Sequence, residues 1–174
     1  MDKHDKDRLL ETFMIEYGDE LVRLAYTYVR DKETAKDLIQ NTFIKCYEHV
    51  ERFRYYASVK TWLYRIAINE CKDYLKSWHY RKIKAVQTVE EMSKSLVLTT
   101  EKAVVEKTNN EQLKMLVDAL PRSYREVILL YYYHSLSIKE IVEATGLKEN
   151  TVKTRLRRAR QRLKLKVKEA EIYG

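Results

Sequence analysis

The sequence predicts an all-α protein, and three observations carry that reading. Only three glycines and one proline stand among 174 residues, against average usage of about 7% and 5%. Strand-and-turn folds spend those residues at their turns, and helical chains do not. Apolar side chains recur at steps of three and four almost throughout, the spacing of one helix face. Alanine, leucine, glutamate, lysine and arginine are plentiful, and all are good helix formers. A chain of this length forms either one compact domain or two small ones, since domains usually hold about 100–150 residues.

Taken in order, residues 5–16 predict a first helix and 18–30 (GDELVRLAYTYVR) a second, with Leu21, Leu24, Ala25 and Tyr28 on one face. Asp31 can cap a third, because its carboxylate can accept from the exposed amides of a first turn. That helix buries Ala35, Leu38, Ile39, Phe43, Cys46, Tyr47 and Val50, whose steps of three and four define one apolar side. An irregular connection, RFRYYASVK, leads to a fourth helix near 60–80, with Leu63, Ala67, Cys71, Tyr74 and Trp78 toward a core. Residues 82–108 lose the periodicity and turn Thr-, Ser-, Glu- and Lys-rich, which marks a linker. Periodicity resumes near Glu111: Leu113, Leu116, Val117 and Leu120 form a helix stopped by Pro121, and SYREVILLYYYHS forms another. The expected architecture is two small helical domains, 1–84 and 110–174, joined by a flexible linker, 85–109.

The stretch IVEATGLKENTVKTRLRRAR, 141–160, carries the strongest functional signal. Ser137-Ile138-Lys139-Glu140 has the form of a capping box, in which hydroxyl and carboxylate satisfy exposed amides reciprocally. The helix it opens buries Ile138, Ile141 and Val142 and stops near Thr145-Gly146, where glycine tolerates a left-handed backbone. A second helix begins near Glu149, with Val152, Leu156, Ala159 and Leu163 inward. Residues placed at 100° intervals leave Asn150, Thr154, Arg157, Arg158 and Gln161 outward and Lys153 at the edge. This is a helix–turn–helix. Arginine can donate two bonds to guanine, and asparagine or threonine can meet a base edge or a phosphate. Arg155, Arg160, Arg162 and Lys164 flank that face as phosphate clamps.

Charge distribution says more than the net +8. Thr151 to Lys168 holds nine bases and no acid, whereas a merely solvated face would intersperse glutamate. Arg52 to Ala85 holds nine bases against Glu70 and Asp73. Two separated basic zones imply two contacts with a polyanion. In the earlier zone Arg65, Asn69, Lys72 and Lys76 form a stripe, with Trp62, Ile66 and Tyr80 beside it. Cations tracking a backbone beside flat rings and amides suit single-stranded nucleic acid, although taken alone the stripe fits a solvated face equally well. On the third helix Lys36, Asp37, Gln40, Asn41, Lys45 and Glu48 point outward with mixed charge, a surface suited to a protein partner or to plain solvent.

Other classes find no support. MDKHDKDRLLE is too charged for a secretory signal, and no apolar run reaches the roughly 18–20 residues that span a bilayer. Cys46 and Cys71 lack CxxC spacing and fit reduced core residues, and the four histidines lack metal-ligand spacing. No metal or cofactor is expected, and the expected compartment is cytoplasmic. A stand-alone helix–turn–helix regulator would need a ligand pocket or dimer face. A recombinase would need a nucleophile with an arginine cluster or an acidic triad, and no such constellation is present in the sequence.

The run DKETAKDLIQNTFIKCYEHVERF followed by KTWLYRIAINECKDYLK resembles region 2 of the extracytoplasmic-function (ECF) sigma factors of the sigma-70 family. LPRSYREVILLYYYHSLSIKEIVEATGLKENTVKTRLRRARQRL resembles their region 4. The resemblance implies a non-enzymatic initiation factor that binds core RNA polymerase, directs it to promoters and helps open them. Region 4 would read the −35 element as duplex through Lys153, Thr154, Arg157 and Arg158. Region 2 would capture a flipped base of the −10 element, with Asn69 at the pocket and the 54–60 loop closing over it. Asp37 and Gln40, with Asn41 in the same segment, match positions that dock on the polymerase clamp. The resemblance also implies regulation by an anti-sigma factor. Lys148, Asn150 and Asn41 depart from the family's usual residues, and RYYAS lacks a frequent glycine.

Overall fold

Short acids start the first two helices. The Asp2 carboxylate accepts from the Asp5 amide at 2.8 Å, and that of Asp31 from the Thr34 amide at 2.8 Å, each satisfying a donor with no partner inside its own helix. The computed structural model describes residues 1–53, 58–88 and 109–173, and within them all regular structure is helical. Helix α1 spans Lys3–Val29, α2 spans Lys32–His49 with a 3₁₀ turn at Val50–Arg52, and α3 spans Val59–Thr88.

The two helices expected over 5–16 and 18–30 are one. A glycine inside a helix costs about 1 kcal/mol relative to alanine. Phe13 on one side of Gly18, and Leu21 and Leu24 on the other, are buried, and a buried side chain of that size returns roughly 1.5–3 kcal/mol. The break therefore does not occur. The helix ends at Arg30, which takes a left-handed conformation (φ 59°) while its N–H donates to the Tyr26 carbonyl at 3.0 Å.

Helices α1, α2 and α3 pack on one another, enclosing Leu21, Leu24, Ala25, Ala35, Leu38, Ile39, Phe43, Cys46, Leu63, Ala67 and Cys71. Trp78 is not part of this core; it is 42% exposed, and the residues around it from Lys76 to Ile83 are exposed as well. Lys82 lies over its ring, 4.8 Å from the centroid. That contact one turn apart, and the lack of any glycine or proline, carry α3 on to Thr88, past the expected end near 80. The rest of the expected linker, 89–108, and residues 54–57 of the expected loop lie outside the described residues.

In the C-terminal half α4 spans Asn109–Asp118, α5 Arg122–Ile128, α6 Ile138–Thr145 and α7 Glu149–Tyr173. Leu113, expected inward, is exposed, while Leu120 is buried. After α5 the chain widens into a π turn at Leu129–Tyr133, closed by the His134 amide on the Leu129 carbonyl at 2.9 Å. It then reverses at Ser135 (φ 57°), so that Leu130, His134 and Leu136 are all buried. Both bonds of the capping box are present: the Ser137 amide donates to Glu140 Oε2 at 2.7 Å, and the Glu140 amide to Ser137 Oγ at 3.2 Å. Gly146 closes α6 in the left-handed region (φ 73°), which an L side chain enters only with strain. Val152, Leu156 and Ala159 of α7 are fully buried against α5 and α6.

The capping box sets where the helix–turn–helix begins. Ser137→Ala should lower stability toward guanidinium by about 1 kcal/mol, read as an earlier unfolding midpoint with an unchanged helical signal before the transition.

Candidate nucleic-acid interface

On α7 the inward register of Val152, Leu156 and Ala159 fixes what points outward. Asn150, Lys153, Arg157, Arg158 and Gln161 are exposed, and Thr154 is half-buried. Asn150, Thr154 and Arg158 share a polar hollow with Ser123, Tyr124, Thr151 and Arg155, so the first turn of α5 borders the reading face. Lys153 Nζ pairs with Glu149 Oε1 at 2.6 Å; both side chains are exposed, and such a pair contributes little. Two expected phosphate clamps rest on aromatic rings. Arg160 Nε donates to Tyr132 Oη at 2.7 Å, with its guanidinium 5.5 Å from the Tyr131 and Tyr132 ring centroids, and Arg162 sits 4.9 Å from that of Tyr124. Stacking of this kind holds the cation in place while leaving donors for a phosphate.

On α3 the flanks divide by angle. Leu63, Ala67 and Cys71 face α1 and α2. The next arc round, Thr61, Tyr64 and Ile68, is also fully buried or nearly so, and α6 of the C-terminal half packs against α3. Arg65, Asn69 and Lys76 occupy the remaining stripe and are exposed. Lys72 lies at the boundary: its Nζ pairs with Glu126 Oε1 of α5 at 2.8 Å. Trp62 is half-buried, 4.7 Å from Phe53 and 6.5 Å from Phe13 between ring centroids. It is therefore a wall beside the stripe, packed into the N-terminal half. On α2 Asp37, Gln40 and Asn41 are all exposed, and Ile44 one turn on is 57% exposed.

Sequence reasoning missed the residues that join the halves. Tyr28 Oη donates to Glu126 Oε1 at 2.7 Å, and Arg30 Nη2 pairs with Asp118 Oδ1 at 2.6 Å. The Tyr64 ring meets that of His134 edge-on at 5.9 Å. A burial signal was present in the sequence, since Tyr64 and Ile68 extend the apolar arc of α3 past the width that α1 and α2 cover. Nothing in it named the covering partner.

Cys46 and Cys71 are free and buried, and burial pushes both thiols up to about 12; at neutral pH they are not thiolates. Among the described residues no cluster of three or more His, Cys, Asp or Glu is placed to hold a metal ion, and no helix is long and apolar enough to cross a membrane.

Residues 13–80 match the family model for sigma-70 region 2, and residues 110–163 that for sigma-70 region 4. The chain is 33% identical to the ECF RNA polymerase sigma factor SigW of Bacillus subtilis, over 96% of this chain and 92% of the relative. It is 32% identical to SigM of the same organism, over 85% and 88%. The fold is similar to that of the sigma factor RpoE of Bartonella quintana, solved with the anti-sigma factor NepR, at a TM-score of 0.66 and 23% identity, covering 91% of this chain and 96% of that one.

His134 is the buried polar group at the junction. It is 4% exposed, and its Nε2 has no hydrogen-bond partner among the described residues. Burial lowers its pKa from 6.5 to about 4; nearby Glu20 opposes that shift, while Lys60 and Arg23 reinforce it. The unfolded chain therefore takes up the proton first as pH falls. The stability contributed by neutral His134 is complete above pH 6.5 and drains away from there toward pH 4, at up to about 1.4 kcal/mol per pH unit. His134→Phe should flatten the unfolding free energy across that window relative to wild type, and an identical slope in both proteins would contradict the assignment.

Proposed function

The chain belongs to the sigma-70 family of bacterial RNA polymerase sigma factors, in its ECF branch, and we propose that its two halves grip neighbouring parts of one promoter. A factor of this kind gives core RNA polymerase its promoter specificity at initiation. The C-terminal half lays α7 in the major groove of the −35 element. There Arg157 and Arg158 read base edges, Asn150, Lys153, Thr154 and Gln161 meet edges or phosphates, and the ring-supported Arg160 and Arg162 clamp the backbone. The N-terminal half receives the parted strand of the −10 element along Arg65, Asn69, Lys72 and Lys76, with Trp62 as the wall of the base pocket.

Opening a duplex costs a few kcal/mol per unstacked base, and holding an extruded base in a pocket offsets that cost. Asn69 is exposed in the middle of the cationic stripe and carries both a donor and an acceptor, which is what a flipped base edge requires. Asp37, Gln40 and Asn41 dock α2 on the polymerase clamp, where the exposed Ile44 adds apolar area. The polymerase supplies the chemistry, so the chain needs no cofactor, acts as no enzyme and works in the cytoplasm. RpoE of Bartonella quintana, similar in fold, has been solved with an anti-sigma factor, which supports a partner of that class here too.

The observation that carries this reading is the presence, in one chain, of the exposed Arg65, Asn69 and Lys76 stripe and of the outward face of α7, each on a segment matched to its own sigma-70 region. Run-off transcription with purified core enzyme is the test, and equal transcript with and without the chain would reject it. Asn69→Ala should lower open-complex formation by about tenfold or more, the few kcal/mol of an uncaptured base, while leaving polymerase affinity unchanged. Loss of polymerase binding instead would move Asn69 to the clamp contact.

A further inference from the structure

We propose that Glu126 latches the C-terminal half onto the N-terminal half in the free chain and withholds Lys72 from nucleic acid. One carboxylate oxygen of α5, Glu126 Oε1, accepts from Tyr28 Oη of α1 at 2.7 Å and from Lys72 Nζ of α3 at 2.8 Å. The Glu126 side chain is only 10% exposed, and that of Lys72 28%. The contact is not isolated. Arg30 at the end of α1 holds Asp118 at the end of α4, Arg125 Nη1 donates to the Asp118 carbonyl at 3.0 Å, and Tyr64 meets His134. Two acids of the C-terminal half, Glu126 and Asp118, thus face Lys72, Tyr28 and Arg30 of the N-terminal half.

The chemistry makes this a latch that nucleic acid can release. A carboxylate and a phosphate oxygen compete for the same ammonium. A mostly buried ion pair gains little net stability, because desolvating both charges cancels most of their attraction. Separation rehydrates Glu126 and Tyr28 and hands Lys72 to a phosphate, so the ion pair itself opposes opening only weakly. Lys72 is the residue that the stripe and the junction share: Tyr64 and Ile68 on one side of it are buried, and Asn69 and Lys76 on the other are exposed. The closed chain therefore binds nucleic acid more weakly by the fraction of time it is open. This masking rests on the reading of Lys72 as a promoter contact, and the latch itself does not.

The test is a pulse of acetic anhydride on the full chain, read by mass spectrometry at each lysine. In wild type, Lys72 should acetylate roughly fivefold more slowly than Lys76, the shielding that a modest preference for the closed form sustains. Glu126→Gln should bring the two rates together. Equal rates in wild type would overturn the latch.

Spin labels at Lys36→Cys and Lys164→Cys supply the second reading; buried Cys46 and Cys71 stay unlabelled. A short separation in wild type should lengthen with Glu126→Lys and return when Lys72→Glu is added. An unchanged separation, or one the charge swap fails to restore, would overturn the proposal, and a chain that merely misfolds is not rescued by the swap. Lys72→Ala in run-off transcription tests the other clause. A Lys72 that is shielded yet dispensable for open-complex formation would overturn the masking while leaving the latch in place.

Discussion

Everything in this molecule is constrained by how α3 divides its circumference. One arc buries Leu63, Ala67 and Cys71 among α1 and α2, and the next buries Tyr64 and Ile68 beside the C-terminal half. Only the remaining arc is free for Arg65, Asn69 and Lys76. A helix of 3.6 residues per turn has no further face to give. Lys72 lies at the boundary between the exposed arc and the interdomain contact, where its Nζ pairs with Glu126. A substitution on α3 should accordingly be judged by its angle around the helix before its chemistry.

The C-terminal half solves a different problem. An acid-free run of cations repels itself, and a folded chain tolerates that only if the charges are supported or an anion is to arrive. The support is visible. Arg160 and Arg162 rest on the rings of Tyr131, Tyr132 and Tyr124, which stabilise a guanidinium without neutralising it. Arg157 and Arg158 have open surroundings. The ring-supported cations suit sequence-independent grip, and the open ones suit readout. The tyrosine run in YYYHS is split: Tyr132 and Tyr133 are exposed, Tyr131 is half-buried, and His134 goes inward with Leu130 and Leu136.

Much of this was legible in the sequence, for local reasons. The Asp31 cap, the Ser137–Glu140 box, the Gly146 turn and the inward register of α7 follow from chemistry within one or two turns, and all are present. What could not be read depends on partners distant in sequence. Helices were expected at 5–16 and 18–30, and the burial on both sides of Gly18 that joins them into one could not be read locally. Trp78 was placed in the core because it continues the spacing of Leu63, Ala67, Cys71 and Tyr74, but the helix runs past its neighbours there and Trp78 is exposed. Glu126 drew no notice, since a lone glutamate in a helix is usually solvated, and its Tyr28 partner is 98 residues away. The outward faces of α2, α3 and α7 were assigned from periodicity; Asp37, Gln40, Asn41, Arg65, Asn69, Lys76, Asn150, Lys153, Arg157, Arg158 and Gln161 are exposed, whereas Lys72 and Thr154 are half-buried.

The most direct test of the central claim is photocrosslinking within the complete initiation complex. A crosslinking amino acid would be placed in turn at Asn69 and at Arg158, with promoter DNA labelled on either strand. The account predicts that position 158 attaches to the upstream duplex and position 69 to one strand of the opened segment downstream. Attachment from position 158 alone, with polymerase present and the promoter open, would contradict it.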